Sequence, residues 1–358
     1  MGQIIIRKND NKGEVYWNKL ETIENDKSFL DSYAKVKIDY SGICGSDIHA
    51  LHLADIYSGL KTPRVLGHEA TGTIIEIYNV SNENSLNFEV GNKVVINPII
   101  SCGTCEMCKN GKTNLCLNRK LFGSDLNGFL QNFVFVPLNN LFKIDASSDN
   151  VLLAMVEPFA VALHSVNIAI DAGLDKDKDV IIFGAGKISL FIAITLKIVL
   201  NLKNIIIVGT ERDNEVRLPL FRHYGFKTFL YNEVFDVKNK CINRSKLDKN
   251  FSIIFEVSGT DSGINGAIEL VKSNGKIICI GLPESRSRIE LVDIVRRELQ
   301  IIGSDSYVKK DFEDAIKLIR GGIIDGDWIE ILKPESCKKG FEDYESSIAL
   351  GVLFNFTY

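Results

Sequence analysis

The sequence lacks an apolar run long enough to cross a bilayer. The longest, Ser189–Leu202, is broken by Lys197 and Asn201, whereas a spanning helix needs roughly 20 apolar residues. No stretch reads as a secretory leader either. MGQIIIRKND is apolar for only three residues before charge begins, so it reads as a strand and not as the apolar core of a signal peptide. Ile6 stands where a myristoylation signal needs Ser or Thr. Positive charge is not in excess: the net charge is -4, which leaves no basic footprint for nucleic acid. There is no internal repeat and no low-complexity tract. These absences predict a cytoplasmic protein with neither membrane nor nucleic acid as partner.

A chain of 358 residues is too long for one ordinary domain and suits two. With 45% hydrophobic and 25% charged residues it has the balance of a soluble globular protein. Eight cysteines are present, and half of them fall between positions 102 and 116. In a long chain without a signal sequence, such clustering points to a metal before it points to disulfides.

The first ~155 residues read as β-rich. Short apolar or alternating runs recur at Ile4–Arg7, Ala34–Tyr40, Thr71–Ile77, Lys93–Ile99 and Phe133–Val136. The polar, Asn-rich stretch from Ser81 to Glu89 reads as a loop. The character changes near Glu157. A helix is predicted over Pro158–Ala172, then strand Val180–Phe183, a glycine turn and an apolar helix from about Ile188 to Leu200. Strand Ile205–Val208 and a helical stretch ending near Gly225 follow. Strand Phe251–Val257, helix Ile264–Lys272 and strands Lys276–Ile280 and Gln300–Ile302 complete the series. Strands alternating with helices imply βαβ units and a parallel sheet. The last ~55 residues revert to mixed character and are expected to pack back onto the first domain.

Cys102, Cys105, Cys108 and Cys116 follow the pattern C-x2-C-x2-C-x7-C, flanked by Gly103 and Gly111. Four thiolates satisfy tetrahedral zinc and leave no open position, so this site organises a lobe and does no chemistry. Iron–sulfur proteins also use four cysteines, but with other spacings. A second set is dispersed: Cys44, Ser46, Asp47 and His49 within SGICGSDIH, His68 and Glu69 in LGHE, and Glu157 in VEP. A thiol, an imidazole and a carboxylate from this set supply the three ligands, with an open fourth position, that a catalytic zinc needs. Taken singly, Cys44 has the reading of a small core residue, His52 that of a structural histidine and His164 that of helix packing. After strand Val180–Phe183 comes Gly184-Ala185-Gly186-Lys187-Ile188-Ser189, a G-x-G-x-x-S turn. Its glycines let pyrophosphate approach the helix N-terminus.

The segments CGSDIH, LGHE, the four-cysteine lobe, VEPFAVALH, FGAGKIS and FEVSG together resemble the zinc-dependent medium-chain dehydrogenase/reductase superfamily, in its polyol and sugar dehydrogenase branch. The likeness spans nearly the whole chain and weakens after about Tyr307. It implies a GroES-like β-rich catalytic domain over 1–157 and 304–358, and a Rossmann dinucleotide-binding domain over 158–303. It implies two zinc ions per chain, with Cys44, His68 and Glu157 on the catalytic one. Glu69 would be an alternative ligand beside the metal, and Asp47 would orient the His68 ring. Ser46 and His49 would relay a proton. The implied reaction is reversible oxidation of a secondary alcohol to a ketone by hydride transfer to NAD(P). A polyol, cyclitol or sugar derivative is the expected substrate, with an aldose or amino alcohol as runner-up. A homodimer or homotetramer is expected.

Strand Ile205–Val208 leads into Gly209-Thr210-Glu211-Arg212. Where an NAD site carries Asp or Glu at the strand tip, this chain has Gly209. With Thr210 and Arg212 following, it resembles the NADP-dependent members, and Arg212 can meet a 2′-phosphate. Glu211 is the competing reader of an NAD ribose. Two departures from the family stand out. Tyr78 occupies a position that usually holds Gly or Ala. Ser306 stands where the polyol dehydrogenases often carry Arg before a tyrosine, here Tyr307. Two other classes compete: a non-catalytic relative, which would have lost ligands that are all present here, and a zinc-ribbon nucleic-acid binder, which would need a basic surface.

Overall fold

A computed structural model describes residues 2–9, 12–19, 32–57, 59–78, 88–145, 150–175, 177–234 and 251–358. The predicted loop from Ser81 lies, as far as position 87, outside the described residues. The chain divides into two compact units. One comprises Met1–Pro158, Val308–Glu345 and Gly351–Tyr358; the other comprises Phe159–Tyr307 and Ser346–Leu350.

In chain order the elements of the N-terminal part are β1 (Gln3–Asn9), β2 (Lys12–Asn18), β3 (Tyr33–Gly42), α1 (Gly45–Leu51), β4 (Arg64–Val65), β5 (Glu69–Tyr78), β6 (Lys93–Ile96), β7 (Ile99–Ile100), α2 (Glu106–Lys109), β8 (Lys120–Leu121), β9 (Phe133–Pro137), β10 (Leu141–Ile144), α3 (Asn150–Leu153) and α4 (Val156–Asp171). The second unit continues with β11 (Val180–Phe183), α5 (Lys187–Val199), β12 (Ile205–Gly209), α6 (Arg217–His223), β13 (Lys227–Leu230), β14 (Phe251–Glu256), α7 (Asp261–Leu270), β15 (Val271–Cys279), α8 (Leu291–Arg296) and β16 (Gln300–Gly303). The chain closes with α9 (Lys309–Arg320), β17 (Ile329–Leu332), α10 (Cys337–Glu345) and β18 (Gly351–Asn355).

The first unit is built on a seven-stranded sheet in the order β10-β6-β5-β3-β18-β17, with β9 also pairing β3. Alternation makes β3 a strand: Ala34, Val36 and Ile38 are fully buried, while Lys35 and Lys37 turn to the other face. Tyr78, the family departure, ends β5 stacked on Tyr33 of β3, with ring centroids 4.9 Å apart. The register matters most for the site. β3 and β5 are antiparallel, with Gly42 opposite Glu69. The residues just past β3 therefore meet those just before β5, which brings Cys44 towards His68.

The second unit is a six-stranded sheet in the order β13-β12-β11-β14-β15-β16. Its pairings are all parallel. Val180, Ile181, Ile182 and Phe183 are all buried, as expected of a strand with both faces covered. Strand order reverses between β11 and β14, so the carboxyl ends of these two strands flank the crevice where such sheets take their ligands.

Candidate metal centres and dinucleotide turn

Asp47 is the residue around which the dispersed set is arranged. It is 3% exposed. Its Oδ2 accepts the Cys44 N–H at 2.9 Å, closing the first turn of α1. Its Oδ1 accepts the Gly67 N–H at 3.1 Å and lies 3.9 Å from His68 Nδ1. One buried carboxylate thus fixes both loops and sits beside the imidazole it was expected to orient. Gly67 has a φ of +88°, a left-handed conformation that favours glycine. A Cβ there would lie 2.6 Å from Leu130 Cγ.

Ligand atoms of Cys44, His68 and Glu69 all lie within 4.8 Å of one another. Glu157, at 7% exposure, is outside that group, though its charge also acts on His68. Of the two carboxylates expected at the metal, it is Glu69, the expected alternative, that completes the group with the thiol and imidazole. Burial by itself lowers the affinity of His68 for a proton. Cys44, Asp47 and Glu157 overcome that and raise it well above the ordinary imidazole value. So much negative charge around a buried ring fits a cation, and three donors leave a fourth position open. Ser46 Oγ is 3.4 Å from His68 Nε2. His49 lies on the last turn of α1. His52, read as structural, pairs with Glu345 at 2.8 Å.

Sequence reasoning missed Tyr57. The chain leaves α1 through Leu53 at φ +53° and forms a single 3-10 turn, Asp55–Tyr57. This reversal returns the half-buried phenol towards the start of α1, near Ser46 and Asp47. Burial and the Asp47 carboxylate push its pKa up, so it stays protonated.

The four-cysteine lobe has the shape that its spacing predicts. Cys116 Sγ is 3.5 Å from Cys102 Sγ and 3.9 Å from Cys105 Sγ. Four sulfurs at about 2.3 Å from a zinc ion would be about 3.8 Å apart, and disulfide sulfurs only about 2.05 Å. The Cys105 N–H donates to Cys102 Sγ at 3.4 Å, and the Cys102 N–H to Cys116 Sγ at 3.3 Å. The Thr104 hydroxyl and neighbouring N–H groups hold the Cys102 thiol down at about 5, where it is a ready thiolate ligand.

In the second unit, Gly184 follows β11 at φ +108°, and Gly186 caps α5. A Cβ on Gly184 would stand 3.1 Å from the Ser258 nitrogen. Ser189 is fully buried and Lys187 is 2% exposed. At the end of β14, Glu256 is 3% exposed and accepts N–H groups from Ser258 at 2.9 Å and Gly259 at 3.1 Å. Burial raises its pKa. At the end of β12, a Cβ on Gly209 would meet Leu218 at 2.9 Å and Asp213 at 3.2 Å. Packing against the Leu218 and Asp213 side chains is therefore a second reason for a small residue there, one the sequence did not suggest. Asp213 accepts the Thr210 N–H and hydroxyl at 2.8 and 2.9 Å. Glu211 and Arg212 are both exposed. Tyr307 is 1% exposed, and Ser306 precedes it at φ +53°.

A sheet built around a thiol–imidazole–carboxylate cluster, a four-thiol lobe and a second unit with a glycine turn after its first parallel strand define a two-domain, GroES-like plus Rossmann dehydrogenase. Residues 31–146 match the alcohol dehydrogenase GroES-like domain family, and residues 193–321 match the zinc-binding dehydrogenase family. The L-idonate 5-dehydrogenase of Vitis vinifera is 30% identical over 301 residues, 81% of this chain and 78% of the relative. The sorbitol dehydrogenase of Halalkalibacterium halodurans is 30% identical over 294 residues, 80% of each chain. An alcohol dehydrogenase of Escherichia coli CFT073, solved with NADH, has the same fold, with a TM-score of 0.81 at 24% identity over 99% of both chains. The chain belongs to the zinc-dependent medium-chain dehydrogenase/reductase superfamily, in its polyol dehydrogenase branch. It is an oxidoreductase acting on the CH–OH group of an alcohol.

Proposed function

We propose that this chain oxidises a secondary hydroxyl of a polyol, cyclitol or sugar derivative to a ketone, with NADP(H) preferred over NAD(H). The observation that carries the reading is the convergence of Cys44, His68 and Glu69 beside Ser46. Cys44 and His68 would hold the catalytic zinc, with Glu157 or Glu69 completing the set. Cys102, Cys105, Cys108 and Cys116 would hold the structural one. Cys44 and His68 would hold zinc where it would supply Lewis acidity at the substrate hydroxyl. The dinucleotide supplies the hydride acceptor.

The remaining work falls to side chains and backbone. Ser46 takes the hydroxyl proton and hands it on, with His49 as the relay towards solvent. Asp47 keeps His68 in one orientation. Gly184, Gly186 and the first turn of α5, including Lys187 and Ile188, take the pyrophosphate at a helix N-terminus. Gly209 and Thr210 would line the adenosine ribose, and Arg212 would meet the 2′-phosphate. In functional terms, 1–157 with 304–358 form the metal and substrate domain, and 158–303 the dinucleotide domain.

A homodimer or homotetramer is supported by exposed apolar side chains on and beside the edge strand β16: Leu291, Val292, Val295 and Ile301. The described cysteines are unbridged, in keeping with a cytoplasmic setting. The test is a spectrophotometric screen of polyols, cyclitols, sugar acids and amino alcohols with each dinucleotide. Zinc-replete protein should reduce NADP with at least one polyol-class alcohol. If no alcohol in the panel supports reduction of either dinucleotide, the reading fails.

A further inference from the structure

The dehydrogenase reading leaves one buried carboxylate without a task. Glu256 ends β14 and is 3% exposed. A buried carboxylate without a cation partner costs stability, and what satisfies this one is a single tight turn. Its Oε1 accepts the Ser258 N–H at 2.9 Å, the Gly259 N–H at 3.1 Å and the Ser258 hydroxyl, and its Oε2 lies 3.3 Å from the Gly259 nitrogen.

Three loops meet at that turn. β11, β14 and β15 are parallel neighbours, so their carboxyl ends lie on one side of the sheet. The Val257 N–H donates to the Phe183 carbonyl at 2.9 Å, one residue before the glycine turn. Gly184 of that turn approaches the Ser258 nitrogen so closely that a Cβ would be 3.1 Å away. On the other side, a Cβ on Gly281, past the end of β15, would lie 2.1 Å from the Gly259 nitrogen. Gly259 has a φ of +64°, and a Cβ there would stand 2.5 Å from the Leu282 carbonyl oxygen. The Ser258 hydroxyl lies 2.9 Å from Thr260 Oγ1, which caps α7 by accepting the Gly263 N–H at 3.0 Å. The turn is thus wedged between the loops after β11 and β15, tied to the start of α7, and held from its buried side by Glu256. Its outer face is open, since Ser258 is exposed.

A sheet of this order takes a dinucleotide across the point where strand order reverses, with one mononucleotide on each half. The glycine turn and the β12 tip belong to the adenosine half, and β14 and β15 to the other. We propose that Glu256 is a positioning residue for the nicotinamide half of the cofactor. Its carboxylate keeps the Ser258–Gly259 turn in the shape on which the nicotinamide nucleotide rests, and it acts through that backbone without touching the cofactor. The inference rests on the dinucleotide site proposed above and gives a role to a carboxylate that the motif FEVSG left without one.

The test is binding to zinc-replete full-length protein. NADPH and NADH are followed by their fluorescence, and AMP, which reports the adenosine half alone, by calorimetry. Glu256→Ala removes the acceptor of two turn N–H groups and should weaken NADPH and NADH alike, roughly tenfold. AMP affinity should stay within about twofold of wild type, a selectivity that a general loss of structure would not give. Glu256→Gln keeps one carbonyl oxygen and should recover most of the loss. Gly259→Ala displaces the turn with Glu256 intact and should show the same selective loss, so a Glu256→Ala chain that fails to fold does not end the test. Wild-type dinucleotide affinity in Glu256→Ala overturns the inference; where that variant does not fold, wild-type affinity in Gly259→Ala does so. An AMP loss as large as the dinucleotide loss overturns it too, because the carboxylate would then support the sheet as a whole. If wild type binds neither NADPH nor NADH, the dinucleotide reading itself fails.

Discussion

Cys44 and Cys105 are both thiols proposed to hold zinc, yet they should fail differently. Cys44 sits in a three-donor set with an open position, so Cys44→Ser should lose one zinc and essentially all activity while the fold persists. Cys105 is in a closed four-thiol lobe, where metal binding is coupled to folding, so Cys105→Ser should lower Tm. Metal analysis and melting curves separate the two; equal effects on Tm with Cys44→Ser still active would sink the assignment. Arg212 is exposed and free to meet a 2′-phosphate. A charge-assisted contact is worth ~1.5–3 kcal/mol, so Arg212→Ala should weaken NADP(H) roughly tenfold to a hundredfold and leave NAD(H) unchanged. A wild-type preference for NAD(H) that the substitution does not alter would assign the ribose to Glu211. Glu256 gives a pH signature. Its folded pKa is raised above the unfolded value of 4.5, so its contribution to stability is fully present below 4.5 and is lost as pH rises through the folded pKa. Glu256→Gln should flatten that part of the stability profile relative to wild type; parallel profiles would show that the carboxyl titrates normally.

At the scale of elements, the turn before His68 depends on glycines from another segment. Gly128 lies where a Cβ would overlap the Gly67 and Leu66 carbonyl oxygens. Gly128→Ala should therefore displace the His68 loop, with loss of the catalytic zinc in metal analysis and a lower Tm; full zinc content and activity would show that the loop yields freely. Elements with contiguous apolar runs were legible in the sequence. Val180–Phe183 emerges with the predicted bounds, and Phe251–Glu256 and the long helix after Gly186 fall within a residue or so of theirs. β13, Lys227-Thr-Phe-Leu230, was not, because no residue in it is fully buried and it offers no apolar run. α9 was legible as a helix but went unread. Its apolar residues Phe312, Ala315, Ile316 and Ile319 recur at helical spacing amid charge. Motif spacing pointed to Cys44, His68 and the lobe. It offered nothing for Tyr57, which comes near the start of α1 because the chain reverses at Leu53. Nor did it rank Glu69 against Glu157 as neighbours of the thiol, since that depends on the β3–β5 register.

For the whole molecule, the expectation is two zinc ions per chain in purified, supplemented protein. Chelation should act unevenly. Amides around β7, β8 and the cysteine lobe should lose protection from hydrogen exchange, while those of β11, β12 and β14 keep theirs, because the parallel sheet holds neither ligand set. Uniform loss of protection across both units would contradict this. Asp47 has a further consequence. Its two oxygens tie the Cys44 and Gly67 backbones together, so the spacing of the metal-binding loops is set by a group buried away from solvent. Side chains that decide which alcohol fits can then vary across generations without retuning metal affinity. Selection can explore substrates on one set of positions while purifying the other, and Asp47 belongs to the second set.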